Sequence, residues 1–479
     1  MKKITRLISI IFCINITTID VLAQEQPIYD YQATFHPVIS KNGMVASQED
    51  LATEAGLKVL KEGGNAIDAA VTIGFTLAVT LPRAGNLGGG GFMLIHLADQ
   101  QKTIALDYRE KAPLAATADM FLDENGNVNQ EKVRFSHQAV GVPGTVAGLT
   151  MALEKYGTIS LKRALQPAIE LAEKGIIVDE DLHNSLLFAK KRLQKSTASF
   201  SIFYKPDGTL YEIGEILKQP DLSKSLKLIA NEGKKAFYKG EIADKIVADM
   251  AENNGLITRE DLAKYKPIIR EPVEGNYRGY KVYSMPPPSS GGVHLVQMLN
   301  ILENFPIGSL GHNRASTLHV MVEAMKFAYV DRFKFMGDMD FIDIPIARLI
   351  SKNYGNQLAQ KINLQQATPS NIISPHPAFQ SNESTETTHY SVMDSYGNAV
   401  SNTYTLNFSY GTGLIAPETG ILLNNQMDDF TSKPGVPNVF QFLGSEGNNI
   451  APEKRMLSSM TPTILMKNNQ PWLVTGSPG

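Results

Sequence analysis

Glu386-Thr387-Thr388-His389-Tyr390-Ser391 stands just past an acidic, hydroxyl-rich run and just before a pattern that reads as a hairpin. Thr387 to Met393 is rich in β-branched and aromatic residues, Ser395-Tyr396-Gly397-Asn398 is turn chemistry, and Ala399 to Asn407 resumes a strand pattern. Folding the pair about Tyr396-Gly397 sets Thr387 opposite Thr405 or Leu406, and a two-residue period puts Thr403, Thr405 and Asn407 on one face. A hydroxyl and a carboxamide then lie near Thr387. Inside a chain the Thr387 hydroxyl is a poor nucleophile, because no neighbour in the stretch is an obvious base. A cut at Glu386-Thr387 would supply one, the new α-amine, with an unperturbed pKa of about 7.7–8.0. The stretch reads either as an ordinary threonine-rich hairpin or as the hidden nucleophile of a proenzyme.

Further motifs decide between these. Asn424-Asn425-Gln426-Met427-Asp428-Asp429-Phe430 gathers amides and carboxylates behind Ile421-Leu422-Leu423. Lys454-Arg455-Met456-Leu457-Ser458-Ser459-Met460 puts paired hydroxyls before a Thr-Pro-Thr strand start, and Thr475-Gly476-Ser477-Pro478-Gly479 closes the chain. Upstream, Pro82-Arg83-Ala84-Gly85-Asn86-Leu87-Gly88-Gly89-Gly90-Gly91-Phe92-Met93 lacks both a P-loop's Gly-Lys-Ser/Thr and a dinucleotide fingerprint, so close backbone packing is its plainer reading. Leu106-Asp107-Tyr108-Arg109-Glu110 and Ser284-Met285-Pro286-Pro287-Pro288-Ser289-Ser290-Gly291-Gly292 complete the set. In this order and spacing the motifs closely resemble the bacterial γ-glutamyltranspeptidases (glutathione hydrolases), N-terminal-nucleophile hydrolases that cleave themselves to expose a catalytic threonine. The resemblance runs through nearly the whole mature chain.

It implies an α/β (α+β) fold, the four-layer αββα sandwich, with one core shared by a large subunit (24–386) and a small subunit (387–479) that pair after self-cleavage between Glu386 and Thr387. It implies that Thr387 attacks, that Thr405 orients it, and that Gly479 belongs to the oxyanion hole. Glutathione and other γ-glutamyl compounds are the implied donors, and water, amino acids or dipeptides the acceptors. The γ-glutamyl head carries an α-carboxylate and an α-ammonium. Arg109 suits the first because its planar fork donates two hydrogen bonds, with Ser458 and Ser459 adding donors. Asn407, Gln426 and Asp429 suit the second. Lys433-Pro434-Gly435-Val436-Pro437-Asn438-Val439-Phe440, running on to Gly444, matches a lid loop whose gating aromatic is usually tyrosine and here is Phe440.

The chain stops at Gly479, where the family pattern continues with a second glycine and further helices and strands. A sandwich truncated at the C-terminus is therefore expected to lack an oxyanion donor, at a cost of about 2.7–4 kcal/mol in transition-state stabilisation, and to leave a sheet edge unpaired. Two other readings stay open: a glutaryl acylase of the same superfamily, which would need no ammonium site, and an inactive secreted remnant that binds γ-glutamyl compounds.

Composition bounds the rest. A net charge of −3 gives no electrostatic case for nucleic acid. Lys2, Lys3 and Arg6 precede the apolar Leu7 to Ile16, and Val21-Leu22-Ala23 offers a cleavage site, which reads as a signal peptide over 1–23 and a periplasmic or secreted protein without a membrane anchor. Cys13 leaves with that leader. The histidines are scattered with no His-Glu-x-x-His, so neither metal nor cofactor is expected. His389, two residues from Thr387 on the same face, is read as a supporting residue and not as a base. Helices are expected with Ser47 capping Gln48–Glu62, with Asn65 capping a run from Ala66 towards Val79, and at Val146–Lys155, Leu161–Lys174, Asp221–Asn231, Ile242–Asn253 and Ala315–Tyr329. Strands are expected near Phe92–Leu97, Thr103–Asp107 and Tyr280–Met285.

Overall fold

The computed structural model describes residues 37–373, 387–438 and 444–477. In chain order its main strands are β1 (Gly43–Ala46), β2 (Gly90–Leu97), β3 (Lys102–Tyr108), β4 (Ile268–Arg270), β5 (Val273–Tyr277), β6 (Tyr280–Ser284), β7 (Thr387–Asp394), β8 (Ala399–Thr405), β9 (Thr463–Lys467) and β10 (Gln470–Thr475). They form two antiparallel sheets, ordered β1-β7-β8-β2-β3-β4 and β10-β9-β6-β5. The expected hairpin is β7–β8, and it lies inside the larger sheet with β1 on one side and β2 on the other. Its turn is tied by Asp394, whose Oδ1 accepts the N–H groups of Tyr396 and Asn398, both at 2.9 Å. Gly397, at a φ of 89°, supplies the left-handed residue the turn needs.

Side-chain alternation builds the layers. Along β2, Met93, Ile95 and Leu97 enter the core under one group of helices, while Phe92 and Leu94 meet Ile464, Met466 and Met285 of the other sheet. The first helical layer comprises α1 (Asp50–Lys61), α2 (Ala66–Thr80), α3 (Thr145–Tyr156) and α4 (Leu161–Lys174). Over the second sheet lie α5 (Gly291–Leu302), α6 (Ala315–Phe335) and α7 (Lys352–Ala359). Helix, sheet, sheet, helix is the αββα sandwich that was expected.

Local chemistry places the ends of these helices. Helix α2 is buried along its whole length and starts at a capping box, with Asn65 Oδ1 accepting from Asp68 N and Asp68 Oδ2 accepting from Asn65 N, each at 2.9 Å, a device worth about 1 kcal/mol. Ser47 does not cap α1. Glu49 does, accepting from Leu51 and Ala52, while the Ser47 hydroxyl donates to the Glu49 carbonyl and pairs with Thr53. Helices expected near Asp221 and Ile242 run Pro220–Glu232 and Glu241–Glu252. Helix α6 continues six residues beyond Tyr329, because Asp331 and Arg332 are buried on partners instead of ending it in solvent. Among the described residues no helix is long and apolar enough to cross a membrane.

Candidate active site

Tyr390 and Val392 of β7 point into the core under the first helical layer, so Thr387, His389 and Ser391 point to the opposite face, towards the second sheet. Thr387, at the start of β7, pairs with Thr405 at the end of β8, and the two hydroxyls lie 3.1 Å apart. The Thr405 oxygen also accepts the N–H of Asn407 at 3.0 Å. Asn407 turns the chain with a φ of 79°, a conformation asparagine tolerates better than most residues, and its amide donates to the Asn425 carbonyl at 3.0 Å. This leads directly to Gln426, whose Nε2 donates to Asp429 Oδ2 at 2.9 Å.

Asp429 Oδ2 also receives Arg109 Nη2. Arg109 is 1% exposed, and it donates further to the carbonyls of Met456 at 3.3 Å and Leu457 at 3.4 Å, beside Ser458. Hydrogen bonds, with one step along the chain from Asn425 to Gln426 and another from Leu457 to Ser458, thus connect Thr387, Thr405, Asn407, Gln426, Asp429, Arg109 and the serine segment, although they come from distant stretches of chain. Ser458 is buried and its hydroxyl accepts from Met460 N, while Ser459 is exposed and accepts from Arg332 at 3.3 Å. A cleft beside Asp429 is lined by Arg332, Asp428, Leu457, Val436 and Pro437. Arg109 and Asp429 face each other as an ion pair, so the groups expected to receive a carboxylate and an ammonium sit side by side.

The glycine run makes this approach possible. A Cβ on Gly89 would stand 2.1 Å from the Thr405 carbonyl, one on Gly88 2.2 Å from that of Leu422, and one on Gly90 2.6 Å from Glu110 Oε2. Close backbone packing is therefore its role, as read from the sequence.

Some residues of this neighbourhood were not singled out from sequence. Arg332 lies three residues beyond the helix expected over Ala315–Tyr329, which in the structure runs on to Phe335. Glu110 is fully buried behind Arg109, with Nη1 to Oε2 at 3.6 Å. Its position directly after Arg109 was the available signal. His389 is half-buried with Nδ1 2.8 Å from the Thr403 hydroxyl and Nε2 3.0 Å from that of Ser391, and desolvation pushes its imidazole down to about 4. A neutral ring held by two hydroxyls fits a supporting role. Glu386, Phe440 and Gly479 lie outside the described residues, as do Cys13 and the segment 1–23. The shoulders of the candidate lid are described: Lys433 donates to the Gly126 carbonyl at 2.6 Å, and the Thr431 hydroxyl to that of Ser445 at 2.9 Å.

The sequence model of the Gamma-glutamyltranspeptidase family matches residues 52–479. The chain belongs to that family. It is 53% identical over 446 residues to the glutathione hydrolase proenzyme of Escherichia coli (strain K12), a match covering 93% of this chain and 76% of that one. Among solved structures, Helicobacter pylori γ-glutamyltranspeptidase superposes with a TM-score of 0.69 at 48% identity, covering 71% of this chain and 97% of the other. Cephalosporin acylase from Bacillus halodurans gives 0.78 at 29% identity, over 93% and 80% of the two chains. The fold is thus shared between γ-glutamyltranspeptidases and acylases, and family membership rests on the sequence match.

Glu110 gives this family member a testable pH dependence. Its carboxyl is pushed from 4.5 to about 7, by burial first, opposed by Arg109 and reinforced by Asp429 and Asp107. Between those values the folded chain keeps a proton that the unfolded chain has lost, so this group's contribution to stability falls as pH rises from 4.5 to about 7 and is flat above. Glu110→Gln, which resembles the protonated form, is expected to melt close to the parent near pH 5 and above it near pH 8. Melting curves at the two pH values check this, and a gap that does not widen with pH sinks the assignment.

Proposed function

We propose that this chain is a self-cleaving proenzyme that becomes a γ-glutamyltransferase and glutathione hydrolase. In maturation the Thr387 hydroxyl attacks the carbonyl carbon of Glu386 and the peptide C–N bond breaks. The resulting ester is hydrolysed, leaving a carboxylate on Glu386 and a free α-amine on Thr387. In turnover that amine takes the hydroxyl proton as the Thr387 oxygen attacks the γ-carbonyl carbon of glutathione or a related amide, and returns it to the departing amine. The γ-glutamyl ester then passes to water, releasing glutamate, or to the amine of an amino acid or dipeptide.

The observation that carries this reading is the convergence of Thr387, Thr405 and Asn407 with the Arg109–Asp429 pair, linked by hydrogen bonds and by the Asn425–Gln426 step of chain. Arg109 is assigned the substrate α-carboxylate with Ser458 and Ser459, and Asp429, Gln426 and Asn407 the α-ammonium. Gly479 is assigned an oxyanion N–H and Phe440 the closing ring of the lid. An acylase acting on a glutaryl group would leave Asn407, Gln426 and Asp429 without a substrate ammonium to receive, which disfavours that alternative. Residues 1–23 are assigned to export, with the periplasm or exterior as the working compartment.

The test is to express the chain, follow it on a denaturing gel, and assay anilide release from a γ-glutamyl anilide. Two bands, the smaller beginning at Thr387, with release of anilide are expected. A single persistent band without release would defeat the reading.

A further inference from the structure

On the function proposed above, Arg109 and the Leu457–Ser458 segment are two banks of one subsite, joined directly by the bonds from Arg109 to the Met456 and Leu457 carbonyls at 3.3 and 3.4 Å. Behind them stands a cluster of arginines and aspartates. Asp107, fully buried, accepts the backbone N–H of Arg109 on Oδ1 at 3.0 Å and Arg270 Nε on Oδ2 at 2.8 Å. Arg270 reaches on to Asp340, donating from Nη1 at 2.9 Å and from Nη2 at 2.6 Å in a bidentate fork. Arg455, three residues before Ser458 and 1% exposed, brings Nε to 3.4 Å from Asp107 Oδ1 and Nη1 to 3.9 Å from Asp340 Oδ2. Its backbone N–H donates to Asp338 Oδ2 at 2.8 Å, and its Nη2 to the Lys266 carbonyl at 2.9 Å.

The cluster therefore grips the backbone of both banks, Arg109 through Asp107 and the serine segment through Arg455. Arg270, Asp338, Asp340 and Arg455 do not line the cleft beside Asp429. The loop that carries Asp338 and Asp340 also touches the return arm of the candidate lid: a Cβ on Gly337 would lie 2.4 Å from the Gly447 carbonyl, and the Ser445 hydroxyl donates to Met336 O at 3.4 Å.

We infer that Asp107, Arg270, Asp340 and Arg455 act together as positioning residues that hold Arg109 in register with Leu457 and Ser458, and so set the affinity of the site for the γ-glutamyl head. The inference rests on the function proposed above. Buried members are poor handles, because removing Arg270 would strand the Asp107 carboxylate and threaten folding. Asp340 is the usable one, since its side chain is 40% exposed and the fork it receives is the cluster's outer lock.

The test compares the parent chain with Asp340→Ala and Asp340→Glu. L-glutamate affinity is measured by calorimetry, kcat and KM with a γ-glutamyl anilide, and melting temperature alongside. Asp340→Ala is expected to weaken glutamate binding and to raise KM by about tenfold, with kcat within about a factor of two, because a misplaced binding group loses uniform binding. Asp340→Glu should recover most of the loss. Unchanged glutamate affinity and KM in Asp340→Ala, with or without a lower melting temperature, would overturn the inference and leave the functional reading intact. A parent chain that neither binds glutamate nor releases anilide would defeat both.

Discussion

Thr387→Ala is expected to yield a single uncut chain and to lower kcat by a factor on the order of 10⁵–10⁶, the scale seen when a nucleophile is removed. Both effects follow from one atom. The alanine variant has no hydroxyl to attack the Glu386 carbonyl, so no α-amine is released, and even a chain cut by other means would have no oxygen to carry the acyl group. Thr387→Ser keeps the hydroxyl and is expected to keep both reactions at reduced rate. A denaturing gel over time, with anilide release on the same samples, reads the two together. Cleavage that survives in Thr387→Ala would place the nucleophile elsewhere, and turnover that survives would remove the threonine from the reaction.

Arg109→Met should be the next most damaging change, and for a physical reason that reaches past the lost ligand contact. Arg109 is buried between Asp429 and Glu110, and it also donates to two backbone carbonyls. Removing one partner of such a group leaves the other charge uncompensated, at a cost of about 3–5 kcal/mol. In the site this becomes a fall in kcat/KM of roughly 10²–10³-fold, because Asp429 then repels the substrate carboxylate that Arg109 would have received. Asp429→Asn in the Arg109→Met background should recover part of the loss, whereas each change alone is harmful. Additive losses in that cycle would show the two residues acting independently and contradict the pairing.

The hairpin was legible because everything that forms it is local. Turn residues, β-branched strands and a period of two set Thr387 against Thr405, and the structure has that register. The α2 cap was legible for the same reason, Asn65 standing three residues before Asp68. Ser47 misled because a hydroxyl before an amphipathic run looks like a cap, while a glutamate two residues later could reach the same N–H groups. The end of α6 was set too early, at Tyr329, before the buried Asp331. Its partners, Gln297 at 2.5 Å and Tyr354 at 2.9 Å, come from α5 and α7 and leave no trace in the local pattern. The positioning cluster is the extreme case, with members at 107, 270, 340 and 455. Asp107 and Arg455 stand inside motifs, but nothing in the local pattern ties them to Arg270 and Asp340. Arg109, Gln426 and Asp429 could be named from motifs, but their direct contact could not.

The place of β7 and β8 in the middle of their sheet has a consequence for the life of the molecule after its cut. As one chain, the sheet closes by an internal rearrangement whose rate does not depend on concentration. Once severed before Thr387, the same sheet would be a dimer of unequal pieces, gripped on both sides by strands of the other piece. The pieces would stay together under native conditions, yet after thorough unfolding they would have to find each other by diffusion before the sheet could close. Cleavage would thus make folding a one-time event: concentrated denaturant should release refoldable material from the uncut chain at any dilution, and from the cut one only in a way that fades as it is diluted.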